Sequence, residues 1–291
     1  MRADAAASPE VLAAYAHCRE VTLRSGSSFS AAFWMFPKEK RQAVHAIYAF
    51  CRFADDVADD PQIVGNRALL LGRWRAELGA AYGGKPVHPV GIALGDAVRR
   101  FALPREVFEE LLHGVESDLE RRPMETFDDL TRYCFRVAST VGILLVRLLG
   151  HRNPRALDYA EAMGIAVQLT NILRDVGEDA AAGRVYLARE DMQRFGVSRE
   201  SLSEDPTPDA LRVLLACYAE RARLYYERAA RLRPEEDRAR LRPADAMGRI
   251  YRALLEELQR RRFPHAAPAV RLSSARRFAI TASVWLEGAR A

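Results

Sequence analysis

Residues 166–179 read AVQLTNILRDVGED and combine an apolar helical pattern with polar side chains at regular intervals. These polar residues recur every three or four positions, which places them along one side of an α-helix. They are Gln168, Asn171, Asp175 and Asp179. The intervening residues are mostly apolar, so the other faces of this helix are expected to be buried. The stretch therefore predicts a polar stripe on a helix inside the protein.

A second stretch, residues 44–59, repeats this arrangement in the sequence VHAIYAFCRFADDVAD. Its polar stripe consists of Tyr48, Arg52, Asp55 and Asp59. Aspartates one helical turn apart destabilise an isolated helix by about 0.2–0.5 kcal/mol, and Asp is also a poor helix former. A solvated acidic face is one explanation of such a pair. Two stripes on apolar helices instead favour a shared, water-accessible cavity with Mg²⁺ between its carboxylates.

The whole sequence is typical of an all-α protein. Its 291 residues are 49% hydrophobic, which is enough for a sizeable core, and no alternating runs of strand-forming residues occur. No segment resembles a domain linker, so the chain is interpreted as one domain spanning residues 1–291. Helices are predicted at residues 9–22, 38–59, 65–82, 89–100, 105–119, 127–149, 154–180, 189–194, 207–232, 243–261 and 273–288.

The charge pattern does not favour a nucleic-acid partner. The formal net charge is +5 and the pI is near 9.2, but the arginines are spread over almost every predicted helix. Attraction to an anionic substrate or to a membrane surface is the functional alternative to simple solvation. No apolar run of about 18 residues occurs, because Arg147 interrupts the best one. A membrane-spanning segment is therefore not expected.

Carboxylate pairs beside an apolar cavity favour chemistry on a diphosphate that carries a hydrocarbon chain. A diphosphate is strongly anionic and is repelled by the aspartates unless Mg²⁺ lies between them. The metal ion then stabilises the leaving group. Its departure from an allylic prenyl chain leaves a carbocation, which survives only against apolar and aromatic walls that exclude water.

Several motifs resemble those of the squalene/phytoene synthase family in order and spacing, from about residue 15 to residue 290. They are SSF at 27–29, AIYAFCRFADDVAD at 46–59, YCFRVASTVG at 133–142, QLTNILRDVGED at 168–179 and GRVYL at 183–187. The resemblance implies an all-helical isoprenoid synthase fold with a central apolar cavity. It also implies head-to-head (1'-1) condensation of two prenyl diphosphates through a cyclopropylcarbinyl diphosphate.

By position, the resemblance implies a set of metal ligands and diphosphate contacts. The ligands of Mg²⁺, for which Mn²⁺ is a substitute, would be Asp55, Asp59, Asn171, Asp175 and Asp179, with Gln168 beside the substrate. Arg52, Arg174 and Arg184 would contact the diphosphate, whose oxygens suit guanidinium geometry. For Arg52 and Arg174, a structural ion pair with a neighbouring aspartate is the alternative.

Other positions of the family motifs would contact the substrate directly. Tyr48, Tyr133 and Tyr186 would orient the diphosphate or face the carbocation, whereas the alternative is a core role. Ser28 and Phe29 belong to the motif that closes over the diphosphates, and the alternative for Ser28 is an ordinary helix-start serine. The cavity near the third motif would be lined by Val137, Ala138, Val141 and Gly142, although a close helix crossing would need the same small residues.

Two positions depart from the family pattern. The family shows a basic pair before its C-terminal Leu-Ser, whereas this chain has only Arg271, which is the candidate replacement. His45 stands where the family has a bulkier apolar or aromatic residue, and it is interpreted as a satisfied core residue rather than a base. Phe33 and His45 are nevertheless the candidate floor of the cavity, which would set the length of the prenyl chain.

Within the family, the favoured reaction joins two geranylgeranyl diphosphates through prephytoene diphosphate to phytoene. The alternative substrate is farnesyl diphosphate, which would give squalene, dehydrosqualene or presqualene diphosphate, with NADPH required only for squalene. No G-x-G-x-x-G motif is present, which mildly favours a reaction without reductant. The alternatives outside this reaction are a noncatalytic helical assembly factor and a terpene cyclase or head-to-tail prenyl transferase.

The scattered cysteines favour neither a zinc site nor a disulfide framework. They fit a reducing compartment, so a cytoplasmic location is expected. A hydrocarbon product adds the expectation of peripheral membrane contact. The oligomeric state is left open.

Overall fold

The computed structural model describes residues 8–25, 29–60, 62–204, 207–265 and 269–289, and all regular secondary structure in these ranges is helical. The α-helices are α1 (Pro9–Arg24), α2 (Lys38–Asp59), α3 (Arg67–Gly83), α4 (Pro89–Phe101), α5 (Arg105–Leu119), α6 (Phe127–Cys134), α7 (Thr140–Leu149), α8 (Arg155–Ala181), α9 (Arg189–Phe195), α10 (Asp209–Leu232), α11 (Arg238–Arg260) and α12 (Ser274–Ala289). Short 3₁₀ helices occupy Phe29–Met35, Glu200–Ser203 and Glu235–Asp237, and a π-helical turn spans Phe135–Ser139. The predicted all-α fold class is confirmed.

The predicted helices correspond closely to the observed ones, with two informative differences. The predicted helix at 127–149 is interrupted by the π-helical turn between α6 and α7. The predicted start at residue 243 is wrong, because α11 begins at Arg238 and contains Pro243 in its second turn. Proline suits the first turn of a helix, where its missing N–H leaves no hydrogen bond unmade, so the sequence pattern placed the start there.

Helices α2 and α8 lie in the middle of two adjoining hydrophobic cores. Helix α2 packs against α1, α4, α5 and α7, and its Ile47 and Phe50 are fully buried. Helix α8 packs most extensively against α10 and also contacts α7 and α11, with Leu169 fully buried. Met163 of α8 packs against both cores. Both helices that carry a polar stripe are therefore surrounded by other helices.

The π-helical turn is held between two glycines on neighbouring helices. A Cβ atom on Gly164 of α8 would lie 2.4 Å from Ser139 Cα, and one on Gly114 of α5 would lie 2.7 Å from Val137 Cγ1. Both distances are far below van der Waals contact, so only glycine permits these approaches. The turn therefore packs closely against both α5 and α8, and π-helical turns are often found at functional sites.

The C-terminal helix α12 packs against α11 and against the 3₁₀ helix at Phe29–Met35. The start of α11 is fixed separately by Asp237, whose carboxylate accepts hydrogen bonds from the backbone N–H groups of Arg152 and Asn153 at 2.9 Å. No helix in the described part of the chain is both long and apolar enough to cross a membrane.

Candidate active site

The two polar stripes face one cavity of about 550 Å³, a volume typical of small-molecule sites. All eight stripe residues line this cavity: Tyr48, Arg52, Asp55, Asp59, Gln168, Asn171, Asp175 and Asp179. The prediction that the two stripes face a shared cavity is thereby confirmed. The predicted substrate-contact residues Tyr133, Val137, Arg174, Arg184 and Tyr186 line the same cavity.

Arg184 joins the two aspartate motifs at the polar end of the cavity. Its Nη1 donates a hydrogen bond to Asp59 Oδ1 at 2.7 Å, and its Nε lies 3.6 Å from Asp179 Oδ1. A single guanidinium therefore spans the C-terminal ends of α2 and α8. The two motifs converge even though more than a hundred residues separate them in the sequence.

Two carboxyl groups of these motifs are poorly stabilised in their charged form. Burial raises the pKa of Asp55 well above its ordinary value, and the nearby charges of Asp59 and Asp118 raise it further. Burial and the charge of Asp175 raise the pKa of Asp179 to about 7, although Arg184 opposes that rise. Carboxylates grouped in this way have too little positive charge around them.

Asp118, near the end of α5, is a cavity residue that the sequence analysis missed. Its carboxylate accepts hydrogen bonds from Tyr133 at 3.1 Å and from Tyr186 at 2.8 Å, and the two rings stack with centroids 5.0 Å apart. Burial raises the pKa of Asp118 to about 6, and the tyrosine hydrogen bonds limit the rise. Asp118 lies four residues after Gly114, and that glycine is the one local signal of a close helix contact.

Arg52 and Arg174, the predicted diphosphate-binding arginines of α2 and α8, each pair with an aspartate of the same helix. Arg174 binds Asp175 through two hydrogen bonds, at 2.7 Å from Nε and 2.5 Å from Nη2. Arg52 Nη2 lies 2.6 Å from Asp56 Oδ1. The structural ion pairs that were the alternative role are therefore present, and both arginines still line the cavity. Arg174 also contacts Tyr251 of α11, a cavity residue that the sequence analysis did not identify.

The polar end of the cavity fits a hard divalent cation. Asn171 Oδ1 is buried without a hydrogen-bond partner in the structure, and carboxylate and amide oxygens are the donors that Mg²⁺ prefers. The raised pKa values of Asp55 and Asp179 also indicate that positive charge is lacking. Within the described residues, no three His, Cys, Asp or Glu side chains are grouped to hold a metal ion. The ion pairs with Arg174 and Arg184 turn Asp59, Asp175 and Asp179 towards guanidinium groups instead.

The opposite end of the cavity is apolar, and small residues create its space. It is lined by Val137, Ala138, Val141 and Gly142, as predicted, and by Leu145, Val146, Met163, Met247 and Gly248. A Cβ atom on Gly142 would lie 3.1 Å from the Ala160 carbonyl oxygen, and one on Gly248 would lie 2.5 Å from Met163 Sδ. The glycines therefore permit close helix packing and leave room in the cavity at once.

The predicted floor residues do not belong to the cavity wall. Phe33 and His45 contact each other with ring centroids 5.5 Å apart, and neither is among the described residues that line the cavity. Phe33 lies 5.8 Å from the ring of Tyr48, which does line it. The prediction that they form the floor was wrong, because Phe33 lies behind the cavity-lining Tyr48. A helical pattern gives the direction of a side chain but not its depth in the core.

His45 is a core residue, as the lone histidine pattern indicated. It is 7% exposed, and burial lowers its pKa to about 4, so the ring is neutral near pH 7. Its Nδ1 has no hydrogen-bond partner in the structure. His45 is therefore buried, as expected. The expectation that its hydrogen bonding would be satisfied is not met at Nδ1.

The remaining predicted contacts lie near the N-terminal and C-terminal ends. The Tyr48 hydroxyl donates a hydrogen bond to Ser25 Oγ at 2.9 Å. Ser28 lies outside the described residues, and Phe29 begins the first 3₁₀ helix, so closure of this motif over diphosphates stays a prediction. Arg271 is exposed and lines the cavity, which leaves its predicted replacement role open to test.

Comparisons with known proteins agree with this geometry. The family model for squalene/phytoene synthases matches residues 22–278. The 15-cis-phytoene synthase of Synechococcus elongatus is 35% identical over 263 residues, which cover 86% of this chain and 85% of the relative. A crystal structure of a dehydrosqualene synthase in complex with a ligand has a TM-score of 0.85 at 33% identity, covering 97% of this chain and 99% of that one.

A second solved structure extends the agreement. The squalene synthase HpnC from Alicyclobacillus acidocaldarius has a TM-score of 0.79 at 27% identity, covering 89% of this chain and 97% of that chain. Its similarity again extends over most of the helices that surround the cavity. From the extent of these matches, the chain belongs to the squalene/phytoene synthase family of prenyl-transferring enzymes.

Proposed function

We propose that this enzyme condenses two geranylgeranyl diphosphate molecules head to head (1'-1) into phytoene, through prephytoene diphosphate. The observation that carries the proposal is that Arg184 joins Asp59 and Asp179 at the polar end of a cavity whose other end is apolar. Such a cavity suits a molecule with a charged diphosphate and a long hydrocarbon chain. The similarity to the 15-cis-phytoene synthase of Synechococcus elongatus supports the choice of the C20 substrate.

The proposed metal ligands are Asp55, Asp59, Asn171, Asp175 and Asp179. Bound Mg²⁺ supplies positive charge that stabilises a departing diphosphate, and Mn²⁺ accepts similar oxygen donors. Arg52, Arg174 and Arg184 bind diphosphate oxygens through their several N–H groups. Ion pairing with aspartates holds these guanidinium groups beside the cavity before the substrate arrives, so little ordering remains to be done on binding.

The aromatic and apolar walls are proposed to protect the carbocation. Tyr133 and Tyr186 present stacked rings to the cavity, and Asp118 holds both hydroxyls so that the rings keep a fixed orientation. The face of an aromatic ring attracts positive charge. Val137 and the other apolar residues of the cavity exclude water, which would otherwise capture the cation.

Product analysis tests this proposal. Purified enzyme with Mg²⁺ is incubated with geranylgeranyl or farnesyl diphosphate, with and without NADPH, and the hydrocarbon is identified by mass spectrometry. We expect phytoene from the C20 substrate without reductant, and no product when a chelator removes the metal. Turnover of farnesyl diphosphate alone would overturn the C20 assignment, and full turnover in the presence of chelator would overturn the metal ligands.

A second function within the family is favoured by the structural comparison. The match to the solved dehydrosqualene synthase covers 99% of that chain and has a TM-score of 0.85. A farnesyl substrate would give dehydrosqualene, squalene or presqualene diphosphate in the same experiment. Formation of squalene only in the presence of NADPH would identify the reductive reaction.

Peripheral membrane contact is the third part of the proposal. Both the C20 chain and the hydrocarbon product are poorly soluble in water. An enzyme that releases such a product benefits from contact with an apolar phase, and interfacial binding does not require a spanning helix.

A further inference from the structure

An exposed apolar groove lies between α12 and the 3₁₀ helix at Phe29–Met35. Its volume is about 800 Å³, and its lining includes Trp34, Phe278, Trp285 and Leu286. These four side chains are 42%, 67%, 52% and 52% exposed, respectively. Large apolar side chains that are grouped and exposed usually mark an interaction surface, whereas isolated ones need no explanation. This surface, Trp34 with the outer face of α12, is called the α12 groove below.

Helix α12 divides its side chains between a buried face and this groove. Val284 is buried against the protein, Thr281 lines the groove but is itself buried, and Phe278 and Trp285 are exposed. Phe278 and Trp285 are seven residues apart, so they project from the same side of the helix. Tryptophan beside aliphatic residues is typical of surfaces that sit at the boundary between water and lipid.

The α12 groove adjoins the active-site cavity at Arg277. Arg277 lines both spaces, and the segment 269–272 that precedes α12 lines the cavity. Arg277 Nη2 donates a hydrogen bond to Ser274 Oγ at 3.1 Å, whereas its Nε is buried and has no hydrogen-bond partner in the structure. Arg277 therefore lies where the surface groove and the active-site cavity adjoin.

Two arginines lie in or beside the wall of the groove. Arg277 lies in its wall, and Arg41 donates a hydrogen bond to the Trp34 carbonyl oxygen at 2.6 Å. The acidic residue at the far end of α12, Glu287, is paired with Arg249 at 2.6 Å. An apolar surface with basic residues beside it complements a bilayer that contains anionic phospholipids.

We propose that the α12 groove docks on the surface of an anionic phospholipid bilayer and connects the active-site cavity to that bilayer. Trp34, Phe278, Trp285 and Leu286 enter the boundary between headgroups and acyl chains, and the basic residues contact lipid phosphates. A hydrocarbon leaves the cavity past Arg277 into the bilayer without crossing water. The exit of product rests on the proposed condensation reaction, whereas the docking assigns a surface to the proposed membrane contact and is tested without that reaction.

Vesicle binding tests the docking surface without any substrate. Purified enzyme is sedimented with vesicles of phosphatidylglycerol and phosphatidylcholine, and the bound fraction is measured over a range of lipid concentrations. The double variant Phe278→Ser/Trp285→Ser is expected to bind at least about tenfold more weakly, because two large apolar side chains no longer enter the lipid. The matched control is Leu69→Ser/Leu224→Ser, which removes side chains of 57% and 50% exposure from α3 and α10 and is expected to bind like the wild type.

A second measurement reports contact rather than binding alone. Lipids with brominated acyl chains are expected to quench the fluorescence of Trp285, and Trp285→Phe should reduce the quenching while most of the binding is retained. Equal vesicle binding by the double variant and the wild type would overturn the proposal, as would failure of the wild type to bind. A wild-type dimer that the double variant converts to monomer, without a change in vesicle binding, would assign the groove to a second copy of the chain instead.

Turnover distinguishes failure of the docking from failure of the proposed function. With substrate in detergent micelles, the double variant is expected to match the wild type, because neither residue lines the active-site cavity. With vesicles, the variant is expected to release product more slowly. Absence of phytoene or squalene-type products from both proteins would overturn the proposed function and leave the vesicle result intact.

Discussion

The polar and apolar ends of the cavity are built in different ways. At the polar end, Asp55 and Asp59 of α2 meet Asp175 and Asp179 of α8, and Arg184 lies between the helices. At the apolar end, the space depends on residues without a Cβ atom, since Gly142 and Gly248 occupy positions where a Cβ atom would crowd Ala160 and Met163. Charge defines the first end and volume defines the second.

The difference explains which parts of the function each end controls. The charged groups determine the class of reaction, because they suit a metal ion and a diphosphate whatever the hydrocarbon chain. The apolar volume determines which chain fits, and a change of one methyl group is enough to alter that choice. Variants at the two ends should therefore differ in kind: loss of turnover at one end and change of substrate at the other.

The largest effect is expected at the polar end. Asp55→Asn and Asp175→Asn each remove a charge that the proposed metal site requires, so kcat is expected to fall roughly 10²–10³-fold for both substrates. The measurement is steady-state turnover of C15 and C20 diphosphates across a Mg²⁺ titration. The matched control is Asp56→Asn, which lies beside Asp55 and pairs with the half-exposed Arg52. Asp56 does not line the cavity, and loss of its partly exposed ion pair removes only part of the ordering of Arg52, so turnover of the control should fall no more than about fivefold.

Comparable losses in Asp56→Asn and Asp55→Asn would show that general helix charge, not the cavity, controls turnover. A change in the ratio of C15 to C20 turnover in Asp55→Asn would contradict the division between the two ends. Circular dichroism of each variant distinguishes both results from unfolding.

A smaller and selective effect is expected from Gly248→Ala. The new Cβ atom would lie 2.5 Å from Met163 Sδ, so the flexible Met163 side chain must move. Both residues line the cavity, and the displacement reduces the space for the longer chain. The ratio of C15 to C20 turnover is expected to rise about tenfold, which is the effect of roughly one methyl group in an apolar site.

The control for this variant is Gly79→Ala of α3. A Cβ atom there would meet only Arg105 Nη2, at an ordinary 3.7 Å. The control is expected to keep the substrate ratio of the wild type. An unchanged ratio in Gly248→Ala would show that this part of the cavity does not hold the prenyl chain.

Phe33→Ala is expected to act in the opposite direction and less strongly. Removing the ring opens space behind Tyr48, which lies 5.8 Å away and lines the cavity. A shift of the substrate ratio towards C20 is expected, together with a loss of stability of about 3–5 kcal/mol from the emptied core site. Leu78→Ala, at a buried site of α3, controls for destabilisation alone. Equal substrate ratios in the two variants would show that the layer behind Tyr48 does not influence chain length.

The same contrast explains which features of the site could be predicted from the sequence. The polar stripes were predictable because spacings of three and four residues fix a helix face without reference to other elements, and all eight of their residues line the cavity. Asp118 was not predictable in this way, since its role depends on Tyr133 and Tyr186, which approach it through packing of distant segments. The prediction that Phe33 forms the floor of the cavity failed for the same reason, because its depth in the core depends on how distant segments pack.

The π-helical turn and the bridging position of Arg184 are two features that could not be predicted from the local sequence. The segment Phe135–Ser139 has ordinary helix-forming residues, and its widened turn becomes evident only from the contacts of Gly114 and Gly164 on either side. Arg184 was identified from its family motif as a substrate contact. Its bridge between Asp59 and Asp179 depends on how two helices end side by side, which no local pattern encodes.

The smallest effect concerns stability rather than turnover, and it separates Asp118 from an ordinary surface acid. Burial raises the pKa of Asp118 to about 6 in the folded protein, against about 3.9 for an unfolded aspartate. Between these pH values the folded state binds the extra proton, so the contribution of this group to stability is present below about pH 4 and is lost as pH rises through about 6. At pH 8 the charged carboxylate therefore opposes folding.

Asp118→Asn removes this charge and keeps an oxygen that accepts a tyrosine hydrogen bond. The variant is expected to melt a few degrees Celsius above the wild type at pH 8 and at nearly the same temperature at pH 4. Differential scanning calorimetry of the metal-free proteins across this pH range measures the difference. A variant that melts below the wild type at pH 8 would show that the two tyrosine hydrogen bonds outweigh the cost of burying the charge. Asp118 would then be a stabilising residue, not one kept for the cavity at the expense of stability.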